Sequence, residues 1–166
     1  TKTNETVVTN LMAGQFYDVI VDGPVEFQAS QAIQVAQFAN GAKFDLATDE
    51  EGNLVGDPCE ILLPPTGHYL ETNIVVTPTY NTGFGPGFNE NFLNLIVARS
   101  AITNTWLDGS LVVSTNFLAI GTSGYYGTRI AVTNGTHTVI SSRPVGVQVY
   151  GFGFYDAYGY FSGMVK

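Results

Sequence analysis

Residues 146–163, "GVQVYGFGFYDAYGYFSG", gather tyrosines, phenylalanines and glycines around a single charge, Asp156. Side chains of this kind bind by stacking, because tyrosine offers apolar area with a polar tip. Tyr155, Asp156, Tyr158 and Tyr160 are therefore the candidate ligand-binding residues. A second chemistry-bearing stretch is "DLATDEEGNLVGDP", residues 45–58, the densest acidic cluster. Asp45, Asp49, Glu51, Asn53 and Asp57 supply the hard oxygens that Ca²⁺ takes as ligands. Their spacing lacks the order of an EF-hand loop, so the cofactor expectation is none, or Ca²⁺ in this loop. Asn4 and Asn134 stand in Asn-x-Thr sequons and are candidate glycosylation sites.

Catalytic chemistry is poorly represented. Nucleophilic catalysis needs a nucleophile, a base in reach and an orienting group. The two histidines, His68 and His137, are expected at a loop edge and at an exposed position after a turn. There is no Gly-x-Ser-x-Gly elbow, Walker loop or dinucleotide fingerprint. The expectation is a protein that is not an enzyme. Cys59 is the one cysteine, which excludes an internal disulfide and reads as a small buried apolar residue.

Composition narrows the class further. Charged residues make up 12% of the 166 positions and aromatics 13%, with a formal net charge of −8. Globular domains carry roughly 25% charged residues, so a surface of Thr, Asn, Ser, Gly and Gln is implied, as in many extracellular β proteins. Six dispersed basic residues form no basic face, which excludes nucleic acid as a partner and disfavours an anionic membrane surface. Apolar runs are too short for membrane insertion. The first residue is Thr and the start is polar, as expected of a processed protein or a piece of a longer one.

These side chains must be positioned by strands. Helix signals are nearly absent, and β-branched and aromatic residues alternate between Gly, Pro and Asn breaks. The predicted strands are 6–9, 15–22, 25–29, 32–39, 42–46, 60–63, 69–77, 91–98, 104–107, 111–114, 117–120, 126–133, 136–141, 145–150 and 161–165. Asn40-Gly41, Asp108-Gly109 and Asn134-Gly135 each suit a type I′ hairpin turn. Val145, Val147 and Val149 share one face, with Gln148 and Tyr150 on the other. The large residues shift to even positions after Gly151, which predicts a bulge there and a tyrosine-rich loop beyond it. Residues 45–58 and 81–92 are predicted loops. The predicted fold is an all-β, antiparallel β-sandwich with hairpin connections, jelly-roll-like. Its domain spans 12–166, preceded by an N-terminal extension or edge strand at 1–11.

Three ordered stretches carry a resemblance. They are "GQFYDVIVDGPVEFQASQAIQVAQFANG", "GDPCEILLPPTGHYLETNIVVTPT" and "NGTHTVISSRPVGVQVYGFGFYDAYGYFSG". Together, over about residues 12–164, they resemble the IgGFc-binding-protein N-terminal domain family, which includes domains of bacterial surface and gliding-associated proteins. The closing Tyr158-Gly159-Tyr160-Phe161-Ser162 departs from the Tyr-Gly-Tyr-Pro-Gly-like ending of bacterial relatives. The resemblance implies an extracellular or cell-surface module. The expected function is adhesion or interaction with a protein or glycan ligand at a cell surface. The alternative is a structural subunit of an extracellular filament or sheath, self-associating by strand exchange through "TKTNETVVTNLM".

Overall fold

The computed structural model describes residues 10–49, 52–78 and 87–165. Its strands in chain order are β1 (Val35–Phe38), β2 (Glu60–Leu63), β3 (Leu70–Thr77), β4 (Phe88–Ala98), β5 (Thr105–Leu107), β6 (Ser110–Leu111), β7 (Leu118–Ala119), β8 (Tyr125–Val132), β9 (Gly135–Gly153) and β10 (Asp156–Phe161). A single helical turn, α1 (Ala42–Asp45), follows β1. The architecture is all-β and antiparallel, with the main sheet curled into a half-barrel. No helix among the described residues is long and apolar enough to cross a membrane.

The Val145, Val147, Val149 alternation belongs to a strand much longer than the sequence predicts. The predicted strands 136–141 and 145–150 are both parts of β9, which runs for 19 residues. Along one edge β9 pairs first with β3 and then with β10. Along the other it pairs first with β5 and then with β4. β8 and β7 lie beyond β4, and β6 lies beyond β5. β1 and β2 form a separate two-stranded pair, joined to β10 where Ile61 packs on Gly159.

A corner in β9 curls the sheet. Register jumps from Thr72↔Ile140 to Leu70↔Val145, so residues 142–144 bulge out and are exposed. Pro144 lacks an N–H and fixes φ, so it is tolerated at a bulge where it would break a regular central strand. The corner is held by hydrogen bonds. Ser142 N–H donates to Asn104 O at 3.0 Å, Thr105 Oγ1 donates to Ala101 O at 2.9 Å, and the Thr105 and Ser141 hydroxyls are 3.0 Å apart. Odd-numbered residues on both sides of the corner face one interior. Val139, Val145, Val147 and Val149 meet Val75, Leu93, Leu95 and Val97 there. Burying each such side chain stabilises by about 1.5–3 kcal/mol.

Tyr160 ties the two ends of the curl. It sits opposite Val149 on β10, yet its hydroxyl donates to Val76 O and accepts from Val76 N–H on β3, both at 2.8 Å. The same contact occupies a backbone pair on the free edge of β3, the kind of exposed edge that otherwise recruits other chains.

Several sequence expectations are corrected. Segments 15–22 and 25–29 are not strands; residues 10–34 pair with nothing in the described sheet. Residues 42–46 begin with α1, and Gly41 has φ −73°, so Asn40-Gly41 is no I′ turn. The partner of β1 is the more distant β2, with Ala39 N–H donating to Cys59 O. Asn134-Gly135 closes no hairpin either, because β4 lies between β8 and β9 and pairs with both. Asp108-Gly109 does turn as predicted, with φ of 51° and 78°, between the paired Leu107 and Ser110. The predicted strand 161–165 lies at 156–161 instead.

His137 is also corrected: it is 5% exposed. Its Nδ1 lies 2.7 Å from Asp108 Oδ2 and its Nε2 lies 2.8 Å from Thr133 O. A carbonyl and a carboxylate only accept, so this geometry satisfies both ring nitrogens when both carry hydrogen, which favours the cationic imidazole. Asp108 also accepts from Thr138 N–H at 2.8 Å, locking the β5–β6 turn onto β9. Burial opposes the charge on His137, but the Asp108 and Thr133 hydrogen bonds outweigh it and raise its pKa. Burial likewise pushes Asp108 up, and the His137 and Thr138 bonds more than offset that, leaving it lowered. A raised histidine stabilises fully below its unfolded value and less as pH rises through the folded one; a lowered aspartate does the reverse on the acid side. Stability from this pair therefore peaks between the unfolded values of about 3.9 and about 6.5 and falls toward alkaline pH. Thermal melts across pH should show that decline. Asp108→Asn should flatten it and, since the Asp108 carboxylate is half exposed and screened by solvent, cost about 1 kcal/mol at the plateau; an unaltered profile in the variant contradicts the charged pair.

Candidate functional site

The even-numbered residues of β9 emerge on the outer, convex face of the sheet. Gln148, Tyr150 and Phe152 stand opposite Asn94, Phe92 and Glu90 of β4, and Arg129 of β8 stands opposite Asn94. Phe92, Tyr150 and Phe152 pack as three rings, with centroids 5.4 Å apart for Phe92–Tyr150 and 5.7 Å for Tyr150–Phe152. The Arg129 guanidinium lies over the Phe92 ring, 3.7 Å from its centroid, and 5.8 Å from that of Tyr150. This cation–π geometry fixes a side chain that is otherwise exposed.

A row of amides runs away from the rings. The Tyr150 hydroxyl donates to Asn94 Oδ1 at 3.2 Å. Asn94 Nδ2 donates to Gln148 Oε1 at 2.9 Å, and Gln148 Nε2 donates to Gln37 Oε1 of β1 at 2.8 Å. Each amide is oriented by its neighbour. Burial raises the Tyr150 phenol, against the opposing pull of Arg129 and the Asn94 bond, so the hydroxyl keeps its proton for this row. Further along the same face Tyr69 stacks on Phe161 at 5.5 Å. Gly146 makes room for the pair: a Cβ there would lie 2.6 Å from the Tyr69 ring.

The shift of bulk to even positions after Gly151 is no change of face. Gly151 and Gly153 stay on the buried, odd face, and other groups fill the space they leave. A Cβ on Gly151 would meet Tyr158 Cε1 at 2.5 Å, Asn91 Oδ1 at 2.7 Å and Glu90 O at 2.8 Å. Tyr158 therefore turns inward. Its hydroxyl donates to Asn91 Oδ1 at 2.6 Å and its ring meets Phe88 edge-on at 4.9 Å. Burial pushes its pKa up.

The four predicted ligand residues thus separate. Tyr158 and Tyr160 have hydroxyls committed to the Asn91 side chain and to the Val76 backbone at the edge of β3. Tyr155 and Asp156 lie at an exposed tip, where Phe154 and Tyr155 form a two-residue turn between β9 and β10. Tyr155 has φ 46°, and the two rings, 50% and 45% exposed, meet edge-on at 5.0 Å. The Asp156 carboxylate accepts from Ala157 N–H at 2.9 Å.

In the acidic loop, the Asp49 carboxylate accepts from Asn53 N–H at 2.7 Å and from Asn53 Nδ2 at 3.1 Å. Asp57 is exposed. Glu51 and the side chain of Asp45 lie outside the described residues, among which no three His, Cys, Asp or Glu side chains converge as a metal site would require. Asn4 also lies outside them, and Asn134 is exposed between β8 and β9. Cys59 is half-buried, its thiol pushed up by burial. His68 is held by Val165 O at 2.9 Å.

Sequence reasoning missed Phe92, Asn94, Arg129 and Gln37 as a group. The available signal was the wet face already assigned to Gln148 and Tyr150, since whatever pairs with those two shares their face.

The family model described as IgGFc binding protein matches residues 1–151. No curated protein and no solved structure matches the chain.

Filling the inner-face gap should be costly where filling an open position is not. Gly151→Ala should lower stability by about 1–3 kcal/mol through overpacking. Gly67→Ala, whose Cβ meets nothing within 4 Å, should be nearly neutral. Equal denaturation midpoints for the two variants would contradict the inward placement of Tyr158.

Proposed function

The chain belongs to the IgGFc binding protein family, and on that premise we propose that it is a non-enzymatic interaction module of an exported surface protein. The family is a binding-domain family, and its domains occur typically in secreted or surface proteins. The observation that carries the reading is the outer face of β4, β8 and β9: three packed aromatic rings, a stacked arginine and an oriented amide row. Aromatics and arginine dominate binding energy at interfaces. Phe92 and Tyr150 stand on central strands whose backbone is paired on both edges, and Arg129 of β8 is held by its stacking on Phe92, so little ordering entropy opposes binding. Both histidines are engaged in structural hydrogen bonds, which supports the non-enzymatic reading. The partner class is a protein or glycan at a cell surface.

The test is binding of the intact chain to arrays of glycans and surface proteins, with the Fc part of IgG named in the family description among the probes. Saturable binding with dissociation constants of about 1 μM to 1 mM is expected. Absence of binding to any probe, or turnover of a substrate, contradicts the reading.

A second reading, a filament or sheath subunit assembled by strand exchange, is favoured by one observation. The segment 10–34 has a β-type sequence and no strand partner among the described residues, and it presents Phe16 at 86% and Ile20 at 75% exposure. If it pairs with another copy, size-exclusion chromatography with light scattering should show higher oligomers. Phe16→Asp with Ile20→Asp should abolish them at unchanged melting temperature. A monodisperse monomer excludes this reading and leaves the first intact.

A further inference from the structure

We propose that Arg129 anchors a sugar carboxylate, so that the outer face binds an acidic monosaccharide unit of a glycan; this deepens the interaction-module reading and rests on it. Stacking on Phe92 uses the face of the guanidinium and leaves its N–H rim. No ion pair or hydrogen bond among the described residues occupies that rim. A planar fork of N–H donors matches a carboxylate in bidentate fashion, and a guanidinium already held flat loses little freedom on binding.

The surroundings of Arg129 suit a sugar. Tyr150 lies beside it, and its hydroxyl heads an amide row in which every donor points toward Gln37. The row ends on the exposed Gln37 carboxamide, whose N–H₂ meets no acceptor among the described residues. Sugar hydroxyls both donate and accept, so they can use the rim of such a row, while flanking rings take the apolar face of the sugar. A peptide is less well served. β4 and β9 are paired on both edges at Phe92 and Tyr150, so no strand can add beside the rings by backbone bonding. The edge of β8 at Arg129 lies beyond its pairing with β7, and a peptide adding there is the outcome that the peptide arm of the experiment tests.

Charge limits the ligand to a local carboxylate. The chain carries −8 overall, which opposes an extended polyanion. Glu90, a carboxylate on the same face, stands two residues along β4 from the Phe92 ring that carries the guanidinium. At strand rise that is about 7 Å, within the roughly 8 Å screening length at physiological salt, so Glu90 adds to the repulsion of further negative charge and the site suits a single carboxylate.

The experiment is calorimetric titration of the intact chain with an oligosaccharide ending in sialic or glucuronic acid, its carboxyl methyl ester, its neutral core, and a glutamate-rich peptide. The acid should bind at least about tenfold tighter than the ester or the core, as expected for a charge-assisted bidentate pair. Arg129→Gln should reduce the acid to the affinity of the ester and leave the ester unchanged. Arg129→Lys should recover only part of the difference. Equal binding of acid and ester by the unaltered chain overturns the inference without requiring any variant to fold. So does an acid preference that survives Arg129→Gln, or binding of the peptide alone. Array binding without a carboxylate requirement overturns this inference and spares the interaction module; absence of all binding overturns both.

Discussion

The continuity of β9 through its corner is the constraint from which the rest of the structure follows. One strand serves as the neighbour of β3 and β5 before residues 142–144 and of β10 and β4 after them. Had the chain ended a strand at Pro144, two small sheets would each have needed a hydrophobic partner. Because it bends instead, both halves turn the same parity inward and share one apolar interior. The bend depends on a residue without an N–H standing where the ladder requires none, and on the Thr105–Ser141 and Ser142–Asn104 hydrogen bonds beside it. Tyr160 then spans the curl to reach Val76.

The same continuity makes the outer face a platform. The backbone of a strand paired along both edges cannot shift without breaking ladder bonds, so the points from which Tyr150, Gln148 and their neighbours on β4 project keep fixed spacings. Glycines allow large rings to lie close to this backbone from either side. Gly151 admits Tyr158 from within, and Gly146 admits Tyr69 and Phe161 from without. The aromatic richness of residues 146–163 is thus divided between an interior that fixes the sheet and an exterior that can meet a ligand.

Much of the architecture is legible in the sequence, and the failures have physical causes. Val145, Val147 and Val149 reveal a half-buried strand because side chains alternate with period two. Asp108-Gly109 reveals its turn because both residues must adopt positive φ. Asn40-Gly41 and Asn134-Gly135 mislead because the same dipeptides are compatible with other conformations, and the choice of strand partner is made by distant residues such as Ile61 and Leu93. His137 is read as exposed because nothing local announces Asp108 and Thr133, its partners. The outer-face site is spread over β1, β4, β8 and β9. No single window of sequence contains it, and the tyrosine-rich stretch drew attention to residues that the sheet turns inward.

The most direct test of this account is residue-resolved amide hydrogen exchange along β9. Val139 and Ser141 before the corner and Val145, Val147 and Val149 after it should exchange slowly and with one common opening free energy, equal to that of global unfolding. Two distinct opening free energies, with one half of β9 exchanging while the other stays protected, would show two independent sheets and contradict the shared strand.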